Sequence, residues 1–230
     1  MSETPAPLHA GHRQRLKERF LASVRAEAPE GLQDYEYLEL LLFLGIPRKD
    51  VKPLAKQLLA RFGSVGAVLT AEPDQLIPIT GESAAVALKA AAAAAQWMLR
   101  EEVVGRPILG SWDRLLDYLH ATMAFREKEC FRLLFLDRKN RLIADELQQK
   151  GTIDHTPVYP REVVKRALDL AASAIILVHN HPSGDPQPSK GDIAMTRQIR
   201  DAALPLGVIV HDHIILSPTG YTSFKSDGLL

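Results

Sequence analysis

The feature that most constrains this chain is Ala174 to His179 (AIILVH), an unbroken apolar run that opens directly into His-Asn-His-Pro. A short stretch with no polar alternation suits a strand buried on both faces, in the middle of a covered sheet. In an extended chain residues i and i+2 point to the same side, so His179 and His181 present two imidazoles together where the strand ends. The segment that follows, Pro182 to Asp192 (PSGDPQPSKGD), is stiffened by Pro182, Pro186 and Pro188 and bent at Gly184. It returns Ser189 and Asp192 to the strand end. Two imidazoles and one carboxylate are the three protein ligands of a tetrahedral zinc ion that keeps its fourth position for water, which the ion would acidify.

Each of these residues also has a structural role open to it. Ser-x-x-Asp at a helix start is a capping box, in which both side chains satisfy free N–H groups of the first turn. Ser189 can cap and face the metal water at once. A lone His-x-His is most often a pair of strand-end histidines, and His211-Asp212-His213 is a second such pair on a late strand. Only the first pair brings a serine and a carboxylate with it. His213, with Asp212, can orient a ligand from behind or form a hydrogen-bonded structural pair.

The surroundings of the run indicate an α/β domain over residues 105–230. Trp112 to Ala124 is an amphipathic helix; Cys130 to Leu136 and Leu142 to Leu147 form a hairpin about the polar turn Asp137 to Asn140. Pro160 to Ala172 and residues 189–204 are helical, and Gly207 to Leu216 is a further strand. Helices and strands alternate, which predicts one mixed sheet covered by helices. Residues 101–112 (EEVVGRPILGSW) carry two glycines and a proline and mark the boundary. Before it, residues 1–104 form a smaller all-helical domain, with helices over 12–26, 34–46, 50–61, 63–71 and 83–99 and a loose terminus at 1–10. Leu76 to Ala91 has the outline of a helix-hairpin-helix, whose glycine turn offers N–H groups to a DNA phosphate. Here Glu82 and Ser83 follow Gly81, and the carboxylate would repel phosphate, which favours a structural helix pair. Arg13, Arg15, Lys17 and Arg19 crowd the first helix, either as a small phosphate-binding face or as a solvated one.

Composition excludes several classes. The 28 basic residues balance 28 acidic ones, and the balance holds on each side of residue 105, so no strong field draws the chain to nucleic acid or to an anionic membrane. No apolar run approaches the roughly 18 residues that span a bilayer, and the first 20 residues lack the apolar core of a secretory signal. One cysteine, Cys130, can form neither an internal disulfide nor a paired-thiolate zinc site, and it rules out a zinc deaminase with its Pro-Cys-x-x-Cys ligands. In an apolar strand it is a small buried hydrophobe. The expected compartment is the cytoplasm. The letters HNH at 179–181 are not the dispersed signature of an HNH nuclease.

The string His179-x-His181-Pro182, six residues, Ser189, two residues, Asp192 resembles the JAMM (MPN+) metalloprotease pattern in every fixed position. Leu177 to Ile193, with Gly151-Thr152, Pro160-Arg161-Glu162, Asp212-His213 and Gly228-Leu229-Leu230, is similar to the RadC family. Gly11-His12-Arg13 and Phe62-Gly63-Ser64 extend the likeness over nearly the whole chain. The Gly81 turn departs from the usual RadC hairpin, which places DNA contact by that module in doubt.

The resemblance implies a JAB/MPN-type fold in the second domain and Zn2+ held by His179, His181 and Asp192. It further implies a glutamate that accepts the proton of the zinc-bound water. The position that follows the first helix of the domain and opens its first strand is Glu129, with Glu127 and Glu146 as competitors. Glu129 would pass the proton to the leaving amine and Ser189 would hydrogen-bond the oxyanion. The expected function is zinc-dependent hydrolysis of an amide or isopeptide bond in an unidentified peptide or protein. The alternative is a DNA-associated repair or accessory protein whose zinc is structural or vestigial. Expected partners are the substrate, a weak nucleic-acid contact through the helical domain, and a second copy or protein partner.

Overall fold

The structure, a computed structural model, describes residues 11–27, 31–150 and 158–230. The loose terminus expected at 1–10 and the Gly151-Thr152 pair lie outside them. The chain forms two compact units, Met1–Ala93 and Ala94–Leu230. The division falls inside a helix, before the glycine- and proline-containing stretch, because the alanine-rich segment runs on to Val103 with no glycine or proline before Gly105.

In the first unit α1 (His12–Arg25), α2 (Asp34–Gly45), α3 (Lys52–Phe62), α4 (Val65–Thr70), α5 (Pro73–Thr80) and the start of α6 (Glu82–Val103) gather around Leu16, Leu38, Leu42, Leu58, Val68, Leu76 and Leu88. Phe62-Gly63-Ser64 is a helix stop and restart: Gly63 ends α3 at φ +87°, and Ser64 Oγ accepts the Ala67 N–H at 3.1 Å to cap α4. Gly45 permits a close approach, since a β-carbon there would lie 2.4 Å from the Ala84 Cα. Two of the basic side chains of α1 are spent internally. Arg13 donates to the carbonyls of Phe43, Ile46 and Lys49, and Arg19 forks onto Glu36 at 2.8 and 3.2 Å.

The second unit is built on a mixed sheet in the order β2-β1-β3-β4-β5. Its strands are β1 (Cys130–Leu136), β2 (Leu142–Lys150), β3 (Ala174–Asn180), β4 (Ile209–Ser217) and β5 (Gly220–Ser223). The apolar run is the central strand β3, buried at every position, antiparallel to β1 and parallel to β4. One face carries Phe131, Leu133, Phe135, Ile175 and Leu177 against α8 (Pro160–Asp169) and α9 (Lys190–Ala203). The other carries Leu134, Leu136, Ile176 and Val178 against α7 (Trp112–Leu119) and the π-helical turn His120–Ala124. The helix expected over 112–124 therefore changes pitch after Leu119. The short strand β5 has no counterpart in the sequence reading.

Candidate metal centre

Strand β3 and helix α9 bring His179, His181 and Asp192 together, with one ligand atom from each lying within 4.8 Å of the others. His179 Nε2 is 2.9 Å from His181 Nε2 and 3.3 Å from Asp192 Oδ1; His181 Nε2 is 3.7 Å from Asp192 Oδ2. The capping box is also present: Ser189 Oγ accepts the Asp192 N–H at 3.1 Å, and Asp192 Oδ2 accepts the Ser189 N–H at 2.8 Å. The box holds the carboxylate at the first turn of α9 with an oxygen turned to the histidines.

Hydrogen bonds fix which ring nitrogens carry protons. Thr196 Oγ1 donates its one proton to the Asp192 carbonyl at 2.6 Å, so at its 2.6 Å contact with His213 Nδ1 it must accept. Full burial holds the His213 pKa well below its ordinary value, and the neutral ring then has a bare Nε2 that accepts from His179 Nδ1 at 2.8 Å. Burial likewise pushes His179 down to about 4, against the pull of Asp192, so its Nε2 is a lone pair aimed at the cluster. His181 donates from Nδ1 to the Asp185 carbonyl at 2.8 Å, which turns its Nε2 to the same point. Two lone pairs 2.9 Å apart beside a carboxylate repel one another unless a positive charge lies between them. The neighbouring Asp192 accordingly raises the His181 pKa, with burial opposing. Burial would raise the Asp192 carboxyl, but His181, His179 and the cap together hold it well below the usual carboxylate range. Nitrogen and oxygen donors in this array suit a divalent cation, with each ring oriented from behind by a backbone carbonyl or a second histidine.

His179 and Asp192 border a cavity of about 310 Å³ shared with Glu129, Ser189, Cys130, Phe131, Val158 and Met195. The Glu129 carboxylate is close enough to add to the electrostatic rise of the His181 pKa. Of the competing glutamates, Glu146 is locked in a fork with Arg166 at 2.5 to 3.0 Å, and Glu127 is exposed and does not border the cavity.

Comparison with known proteins agrees with this geometry. The model of the RadC-like JAB domain matches residues 109–229. A UPF0758 protein of Rhodobacter capsulatus is 58% identical over 94% of this chain and 100% of its own length. A UPF0758 protein of Ruegeria pomeroyi is 55% identical over 95% of this chain and 97% of its own. The chain belongs to the RadC family.

Within this RadC-family chain the second histidine pair is divided. The pairing of β3 with β4 steps from Ile175↔Val210 to Ile176↔Asp212, leaving His211 as the extra residue of a bulge. His213 then falls beside Leu177 and reaches His179, while His211 bonds Asn140 Oδ1 at 2.9 Å in the β1–β2 turn, at the far end of the sheet. Asp212 does not pair with the His213 ring. It accepts from Ser223 Oγ and the Lys225 N–H and so fastens β5 to β4. Thr196, four residues after Asp192 and therefore on the same face of α9, is a site residue the sequence reading missed. Cys130 is buried, in the strand beside Glu129. No helix among the described residues is long and apolar enough to cross a membrane.

Proposed function

We propose that this RadC-family chain is a zinc-dependent hydrolase that cleaves an amide or isopeptide bond in a peptide or protein substrate. The observation that carries the reading is the meeting of two bare imidazole nitrogens and a carboxylate beside a cavity that His179, Asp192 and Glu129 border. His179 and His181 through Nε2, and Asp192 through its carboxylate, would hold the ion. Bound there, zinc supplies Lewis acidity, which lowers the pKa of a water and polarises a carbonyl.

The chain's own groups divide the remaining work. Glu129 takes a proton from the attacking water at its carboxylate and returns it to the leaving nitrogen, a role worth roughly 10²–10⁴ in rate. Ser189 Oγ already accepts the Asp192 N–H, so its hydroxyl proton is left to donate to the substrate oxygen as charge develops there. Phe131, Val158 and Met195 line the cavity with apolar surface that excludes water around the reacting groups. A buried single cysteine and no disulfide fit a reducing compartment, and we place the protein in the cytoplasm.

Metal analysis of the purified protein tests the reading. One zinc per chain is expected, absent from the His179→Ala, His181→Ala double variant. A native protein without zinc, or a double variant that keeps it, overturns the assignment.

A further inference from the structure

Asn180, the middle residue of the His-Asn-His string, is fully buried and projects to the opposite side of β3 from its two neighbours. Its amide is engaged on both ends. Oδ1 accepts the Cys130 N–H at 2.8 Å, and Nδ2 donates to the carbonyls of Arg126 and Lys128 at 3.2 Å each. Arg126 and Lys128 belong to the irregular segment that joins the π-helical turn to β1 and carries Glu129, and Cys130 is the first residue of β1.

We infer that Asn180 is a positioning residue: it clamps the backbone on both sides of Glu129 and so ties that carboxylate to the strand that carries His179 and leads directly into His181. The inference rests on the proposed role of Glu129. The physical case is one of tolerance. A group that moves a proton has to be held within about 0.5 Å of its working place, and irregular backbone between two elements does not provide that by itself. Arg126 fastens one end of the segment, donating from its N–H to the Met123 carbonyl and from Nε to the Thr122 carbonyl, but Glu127 and Lys128 are exposed. Asn180 ties the stretch on both sides of Glu129 to β3, and it does so from between the two histidines. Any shift of β3 therefore moves both imidazoles and the glutamate together. The task also requires an amide, since it takes one acceptor for an N–H and donors for two carbonyls. Aspartate of the same shape keeps the acceptor, cannot donate, and sets its charge against two carbonyl oxygens.

The test uses full-length protein loaded with cobalt(II), whose visible absorption reports its ligands, titrated with acetohydroxamate. A hydroxamic acid binds a metal as its anion, and a carboxylate beside the site, here Glu129, stabilises the complex by taking up the proton that the acid loses. Glu129→Gln is expected to keep cobalt and to weaken acetohydroxamate by about tenfold. Asn180→Ala and Asn180→Asp are expected to hold cobalt within about twofold of native yet weaken acetohydroxamate as Glu129→Gln does, and adding either to Glu129→Gln is expected to weaken it no further. In both, hydrogen exchange at the Cys130 amide is followed as a report on the clamp, with faster exchange expected in Asn180→Ala. Should the alanine variant not fold, the isosteric aspartate variant carries the comparison. Native acetohydroxamate affinity in the Asn180 variants beside a weakened Glu129→Gln overturns the inference alone. So does a loss of cobalt affinity in step with acetohydroxamate, which marks a structural role only. Native protein that takes up no cobalt, or Glu129→Gln with native acetohydroxamate affinity, overturns the hydrolase reading and this inference with it.

Discussion

The single hydroxyl proton of Thr196 decides which nitrogen His179 turns to the metal centre. Because it is committed to the Asp192 carbonyl, His213 must donate to the oxygen and accept at its other nitrogen, and the order passes on to His179. Thr196→Val keeps the shape and removes both bonds, which frees His213 to carry its proton on the side facing His179. Zinc affinity, measured by competition with a chelator, is expected to fall by about 10–100-fold, the usual cost of losing a partner behind a ligand. Unchanged affinity would show that the relay does not set the tautomer. Glutamates give the complementary contrast. Glu129→Gln is expected to retain zinc and lose hydrolysis of a cleaved peptide by about 10²–10⁴, while Glu146→Gln loses only a partly exposed bridge to Arg166 and leaves zinc content untouched. A Glu146 variant with the larger catalytic defect would reassign the base.

Helix α9 serves the site through its first turn. Ser189→Ala removes the oxygen that accepts the Asp192 N–H and is expected to lower stability by about 1 kcal/mol in denaturant unfolding. An effect on zinc content without any on stability would mean that the cap is not what places Asp192. In the helical unit, Gly45→Ala drives a methyl group to 2.4 Å from the Ala84 backbone and is expected to cost about 1–3 kcal/mol, whereas Gly31→Ala, whose methyl group would meet nothing closer than 3.9 Å, serves as the control. Such elements show what the sequence made legible. The apolar run, the paired imidazoles and the capping box are local patterns of fixed spacing, so β3, α9 and the meeting of His179, His181 and Asp192 follow from the string itself. What escaped is non-local. The bulge at His211 depends on the register of β4 against β3, and without it His211 and His213 would share a face. Strand β5 is four residues long and gains its place through the buried Asp212 rather than from any pattern of its own. Asn180 and Thr196 are ordinary polar residues whose meaning lies entirely in partners that the fold brings to them.

Charge balance extends across the chain, yet the buried histidines give the molecule a pH dependence of definite sign. His179 has a folded pKa of about 4 against an ordinary 6.5, so between those values the unfolded chain binds more protons than the folded one. Stability from this ring is complete above about pH 6.5 and drains away as pH falls toward 4, by on the order of 3 kcal/mol. His213 is depressed for the same reason, burial, and adds to the acid limb. Asp192, depressed from 3.8, adds its own loss only below that value. His181 acts in the opposite sense: its raised pKa gives stability that is complete below 6.5 and fades as pH climbs through the folded value. Metal-stripped protein should therefore be most stable near pH 6.5, with a steeper fall on the acid side. Melting temperatures in chelator from pH 4 to 9 measure this directly, and His179→Gln is expected to flatten the acid limb while leaving the alkaline one. A native curve that stays level from pH 6.5 to 4 would mean that His179 and His213 accept protons in the folded state, and the arrangement of lone pairs on which the metal centre depends would be wrong.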